Sequence, residues 1–258
     1  MPFVMRGHRM TTVQVCGDAC AKVQGVIDQL RSIQPETWNN LPPADADGVA
    51  SFDYLYTQIT AGILARLQSG GFSDPLFLSE LDVQFARRYL DALAGYQQDP
   101  ASCPRSWHVL FDRRSDPRIT RMQFAIAGVN AHVNYDLAFA LVATWKQTGP
   151  PESTGPQHDD YETVNKVFYD EMANLRHYFE DPLLQRLDET AVERLSNHFD
   201  DMMVVIFRNA AWHTGEHLWR LNHKPSKEEF KLKAESMDIM TALAGQALLA
   251  PVDIVERA

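Results

Sequence analysis

From Phe124 to Val142 the chain runs almost without interruption through apolar residues, and no proline breaks the run. A helix that is apolar on most of its faces has to be surrounded by other elements. This segment therefore predicts a central helix. Almost every other long segment repeats its apolar residues at helical spacing, as Val23, Val26, Ile27 and Leu30 do. Alternating Val/Ile/Thr runs bounded by hairpin turns are missing. The expected fold class is all-α: a single compact domain of seven or eight helices around the central apolar helix. Helices are expected over residues 18–33, 51–68, 74–96, 118–147, 158–179, 190–222 and 226–249. Asp74-Pro75 reads as a cap and first turn, Gly70-Gly71 as a stop, and Thr190 to Glu193 and Ser226 to Glu229 as capping boxes. The proline-bearing stretch 99–117 reads as loop. Residues 1–15 are expected to be a flexible N-terminus, 16–250 the helical domain and 251–258 a tail.

The central run nevertheless carries Asn130, His132, Asn134 and Asp136. Polar groups in such a helix need partners or a use. His132 and Asp136 stand four apart, so they share one helix face. The pair suits a metal, or a general base oriented by a carboxylate, or a buried network tying helices together.

A second histidine stretch lies in the segment 208–219, with His213 and His217 again four apart and Glu216 between them. The order is not that of the metalloprotease motif, because Thr214 stands where its glutamate would be. Arg208, Trp212, Glu216 and Trp219 form one stripe, and Asn209, His213 and His217 the adjoining one. If the tryptophan stripe faces inward, Arg208 and Glu216 are the buried polar pair and the histidines flank it. Asp160, Asn165 and Tyr169 could line one side of a pocket, although Asp159 and Asp160 also suit a helix start. Asp82 lies among Leu81, Phe85 and Tyr89 with Arg87 and Arg88; it could be an additional site carboxylate, but a solvated face is the stronger expectation for it. His198-Phe199-Asp200-Asp201 resembles an aspartate-rich metal motif only loosely.

The formal charge of −10 argues against a nucleic-acid partner, since phosphate binding needs a basic footprint. No run approaches a membrane span, and residues 1–10 lack the apolar core of a secretory signal. Three cysteines without framework spacing suggest a reducing compartment, so a cytoplasmic protein is expected. Gly-x-Ser-x-Gly elbows and Gly-rich phosphate loops are absent, as are the Glu-x-x-His pairs of di-iron bundles.

The pattern Phe124-x-x-x-Gly128-x-Asn130-Ala131-His132-Val133-Asn134-x-Asp136-Leu137 resembles a bacterial all-helical family of unknown function. The resemblance extends to Phe52-x-x-Leu55-Tyr56, Phe85-Ala-x-Arg88-Tyr89, Asp160-Tyr161-x-x-Val164-Asn165 and Arg208-x-x-Ala211-Trp212. It implies that Asn130, His132, Asp136, Asp160 and Arg208 form one constellation; it carries no activity with it. More distantly, the His132-x-x-x-Asp136 helix is similar to one in helical zinc phosphoesterases of the phospholipase C and P1 nuclease type. Their second helix has glutamate where His217 stands here.

The expected function is an enzyme acting on a small, partly apolar molecule between the two histidine helices. His132, Asp136, Asp160 and Glu216 would be catalytic. Asn130, Arg208, Asn165 and Trp212 would bind substrate, Arg208 through a carboxylate or phosphate. A divalent metal (zinc, iron or manganese) on His132, Asp136, His213 and His217 would make the reaction hydrolytic or oxidative. The alternatives are a metal-free isomerase or cyclase of secondary metabolism, and a non-catalytic ligand-binding protein.

Overall fold

The computed structural model describes residues 12–33, 47–175 and 201–251. Its elements are α1 (Thr12–Ile33), α2 (Gly48–Gln68), α3 (Pro75–Gln98), a 3₁₀ turn (Pro100–Ser102) and α4 (Arg105–Arg113). There follow α5 (Arg121–Ala131), a π turn (His132–Asp136), α6 (Leu137–Thr148), α7 (Pro156–Leu175), α8 (Asp201–Asn222) and α9 (Glu228–Leu248). α5, the π turn and α6 run on as one rod, so the described residues form eight helical rods and no strand.

Local chemistry sets the ends. Asp47 accepts the Ala50 amide at 2.9 Å and starts α2, which gives way at Gly70 with φ +71°. Asp74 accepts the Phe77 amide at 3.0 Å, and Pro75 occupies the first turn of α3. A capping box that the sequence reading passed over, Thr120 with Gln123, opens α5. Gln123 also donates through Nε2 to the carbonyls of Leu248 and Ala250, fastening the end of α9 to the start of α5.

Three sequence-based expectations are corrected. Within 99–117 the chain forms α4, because prolines at 100 and 104 stand before the helix rather than inside it. Ser226 does not cap α9: Lys227 holds that position, while Ser226 Oγ accepts the Glu228 amide at 3.3 Å. Cys16 and Cys20, a turn apart on α1, are joined as a disulfide, whereas Cys103 is free and buried. The capping box at Thr190 and the motif at His198 lie outside the described residues.

The rod α5–α6 is central, as the apolar run requires. It packs against α2, α3, α4, α8 and α9. Apolar clusters gather along it, with Phe52, Tyr89 and Trp107 near α5 and Trp145, Trp212 and Leu218 against α6. Gly128 lets α2 approach the rod: a Cβ there would collide with the Phe52 ring. No described helix is long and apolar enough to cross a membrane.

Candidate functional site

The π turn is where the rod becomes functional in appearance. Five residues, His132 to Asp136, take i→i+5 bonding, and the Leu137 amide reaches the His132 carbonyl. Such one-turn bulges re-aim side chains inside an otherwise regular helix and concentrate at functional positions.

His132 Nδ1 lies 3.1 Å from Asp136 Oδ2, with both side chains sealed from solvent. Asp136 is itself held from outside the rod. Trp107 Nε1 donates to Oδ2 at 2.8 Å, and Arg88 Nε donates to Oδ1 at 3.0 Å. Arg88 lies under the rings of Phe139 and Tyr135, 4.7 and 5.5 Å from their centroids. With Asp136 able only to accept, the His132 proton belongs on Nδ1 and the lone pair on Nε2. Burial lowers the basicity of His132; the bond to Asp136 opposes this and Arg88 reinforces it.

The His132 ring is clamped as well as oriented. Phe85 stacks on it at 3.4 Å between centroids, and Tyr56 meets it edge-on at 4.6 Å. Nε2 is buried and has no hydrogen-bond partner among the described residues. His132 lines a cavity of about 60 Å³ between α2, α3, the rod, α7 and α8. Two further orphaned polar atoms belong to side chains lining the same cavity, Tyr56 OH and Asp82 Oδ2. Arg208 apart, the remaining walls are aliphatic and aromatic, among them Ile59, Leu81 and Phe168. Burial pushes the Asp82 carboxyl up to about 8, so at pH 7 it carries its proton. Burial also raises the Tyr56 phenol well above its usual range, and the acids Asp82, Asp136 and Asp53 add to the effect. A neutral acid, a neutral phenol and a neutral imidazole thus line one apolar chamber.

Arg208 also lines that chamber. It is buried, with Nε donating to Asn165 Oδ1 at 2.6 Å and Nη2 to the Tyr161 carbonyl at 2.9 Å. Its guanidinium lies over the Tyr161 ring at 4.3 Å. Asn165, expected to touch substrate, instead positions this arginine.

Other expected site residues lie elsewhere. Asp160 receives the amides of Ser73 and Asp74, at 2.8 and 2.5 Å, and so ties α7 to the start of α3. Its carboxyl is raised by burial, with those amides opposing. Asn130 donates to the Thr241 carbonyl of α9 and accepts from Asn134, which employs it structurally. Trp212 fills the core between Phe77, Trp145 and Tyr161. Glu216 accepts from Ser153 and from Trp212 near the surface. His213 is 76% exposed and rests 3.4 Å from Glu216, and His217 is exposed too. The tryptophan stripe turned inward, so the two histidines flank it and face solvent. The proposed four-residue metal set is therefore not brought together. Among the described residues no three His, Cys, Asp or Glu side chains are grouped to hold a metal ion.

Asp82 is the residue whose expected environment is corrected most: it is 5% exposed, not on a solvated face. Its register with Leu78, Phe85 and Tyr89 on the buried stripe of α3 was the available signal. Trp107 was missed because its helix was read as loop, and Tyr56 because a tyrosine on an apolar stripe reads as core.

No curated protein and no solved structure shows significant similarity to this chain. A family model described as a family of unknown function matches residues 23–251, and the chain belongs to that family, DUF5995.

Proposed function

We propose that the protein is a proton-transfer enzyme, of the isomerase or cyclase type, acting on a small, largely apolar molecule in the cavity under His132. One observation carries this reading: a buried imidazole that lines an apolar chamber is locked at Nδ1 by an anchored carboxylate, while its Nε2 has no partner among the described residues. His132 would take a proton as general base. Asp136 orients it and stabilises the imidazolium that forms, with Trp107 and Arg88 fixing Asp136. Asp82, protonated at neutral pH, would return a proton elsewhere on the substrate or hold a developing oxyanion, and Tyr56 would donate a second hydrogen bond. The metal-free version is favoured because both oxygens of Asp136 are already engaged by protein donors, which leaves that carboxylate poorly placed as a metal ligand.

The test is carbon–hydrogen exchange in D₂O. A panel of small apolar ketones, esters and enones is incubated with the wild type, His132→Gln and Asp82→Asn, and deuterium uptake is read by mass spectrometry. The wild type should label at least one compound. His132→Gln should lose about 10²–10⁴-fold of that rate with its circular dichroism and Tm retained. Equal labelling by His132→Gln, or none by the wild type, would sink the reading. A second reading, ligand binding without turnover, is favoured by the narrowness of the cavity, which leaves little room for a substrate to change shape. It requires binding without exchange.

A further inference from the structure

A buried guanidinium is expensive unless an anion offsets it. Arg208 has Asn165, the Tyr161 carbonyl and the Tyr161 ring for company, and all three are uncharged. No carboxylate pairs with it among the described residues, and Nη1 has no hydrogen-bond partner there. Both neutral partners come from α7, so the arginine is held in place while its charge is left over. Arg208 lines the cavity together with His132 and Asp82. Aliphatic side chains such as Ile59, Ile63 and Leu137 line the same cavity.

The geometry points to a ligand with one anionic end: we propose that this cavity takes a slim, apolar monocarboxylic acid whose carboxylate sits on Arg208 and whose chain extends toward His132. The proposal rests on the proton-transfer reading only for what happens at the far end; the binding claim stands apart from it. Charge balance selects the head group. One carboxylate neutralises one guanidinium, whereas a phosphate monoester dianion would leave a net negative charge among apolar walls. The protonated Asp82 adds no charge of its own at neutral pH. The lining selects the body: apart from Tyr56, Asp82, His132 and Arg208 it is aliphatic and aromatic, which suits an apolar chain.

The experiment is calorimetric titration of the full chain with the straight-chain carboxylates from propanoate to octanoate and with the matching primary alcohols. Ionic strength is held constant with chloride. The wild type should bind one carboxylate at least about tenfold tighter than its alcohol, with an optimum in chain length. Arg208→Gln should reduce the carboxylate to the affinity of the alcohol, and Arg208→Lys should keep part of the preference. The preference for acid over alcohol is a binding result on the wild type and involves no proton transfer. That result would survive a failure of the exchange assay, so the two readings fail separately. Equal affinity for acid and alcohol, no binding at millimolar concentration, or affinity independent of chain length would overturn the proposal. If Arg208→Gln does not fold, the acid–alcohol comparison on the wild type and Arg208→Lys decides.

Discussion

Two helices of this protein carry a histidine with a partner four residues on, and they could hardly differ more. In the π turn, His132 and Asp136 are sealed inside, touched by Trp107, Arg88, Phe85 and Tyr56. On α8, His213 and His217 lie on the exposed side, and the polar partner of His213 among the described residues is Glu216 on its own helix. Spacing is common to both, so spacing does not make a site. What separates them is the face on which each pair falls and the elements packed against it. The inward stripe of α8 is taken by Trp212, Gly215 and Leu218 against α6, which leaves the histidines outside. The inward side of the rod at His132 has aromatic neighbours with a gap between them, and the gap is the cavity.

The comparison can be broken most forcefully at Asp136. Asp136→Ala strands the Trp107 indole, the Arg88 guanidinium and the His132 Nδ1 proton together. It should cost about 3–5 kcal/mol, as removal of one partner from a buried charged pair does. Urea denaturation at pH 7 measures this. A loss below about 1 kcal/mol would mean that the network is no more consequential than a surface contact.

Asp82 sharpens the contrast with a change in the other direction. Its folded carboxyl titrates near 8 and its unfolded one near the ordinary aspartate value, so between about pH 4 and 8 the folded state holds the extra proton. Stability should therefore fall as pH rises through that window and level off above about 8. Asp53, also raised by burial, acts in the same sense. His132, with its basicity lowered by burial, acts oppositely: below its unfolded value, near 6.5, it favours the unfolded chain as pH falls. Asp82→Asn removes one ionisation and should raise stability at pH 8 by roughly 2–4 kcal/mol, several pKa units being discounted for relaxation. Urea midpoints at pH 5 and pH 8 give the sign directly. An unchanged pH slope in Asp82→Asn would place the carboxyl in water.

Gly128 tests the packing that holds the cavity closed. Gly128→Ala puts a methyl group into the Phe52 ring, which sits edge-on to Tyr89, Trp107 and His132. Overpacking of this kind should cost about 1–3 kcal/mol. Thermal unfolding reads the loss, and the His132 imidazole resonances should shift as Phe52 moves. A stable variant with an unmoved imidazole would show that α2 can slide without disturbing the site.

The fold was legible because burial and helical period coincide over most of the chain. Residues 124–142 declare a central helix, and caps such as Asp74-Pro75 declare a start. α4 was not legible: nine residues between proline-bearing turns are too few for a period to stand out. With α4 went Trp107, which fixes Asp136. At the site, His132 and Asp136 were readable as polar groups in an apolar run. Asp82 was readable only as the weaker of two alternatives, a site carboxylate, because the neighbouring Arg87 and Arg88 suggest a solvated face, while its own register is that of Leu78 and Phe85. Asn130, Asp160 and Asn165 were readable as buried polar residues but not as structural ones. Which polar group finds a protein partner depends on elements distant in sequence, as the amides of Ser73 and Asp74 on Asp160 illustrate.

The smallest expected effect bears most directly on the comparison. The double variant His213→Ala, His217→Ala removes as many imidazoles as the other helix pair has members of its dyad. Both are exposed, and the hydrogen bond to Glu216 has a solvent-facing donor. Glu216 keeps Ser153 and Trp212 as partners without it. Stability should change by less than about 0.5 kcal/mol, and deuterium exchange should be unaltered. Elemental analysis of the wild type beside His132→Ala and His213→Ala adds the decisive reading. A near-stoichiometric metal lost in both variants would require the two helices to share an ion, which their opposite exposure forbids without rearrangement. That outcome would break the contrast between them and return the metal-assisted reaction to first place. Retention of stability and exchange in the double variant, with both lost in Asp136→Ala, would confine the chemistry to the π turn.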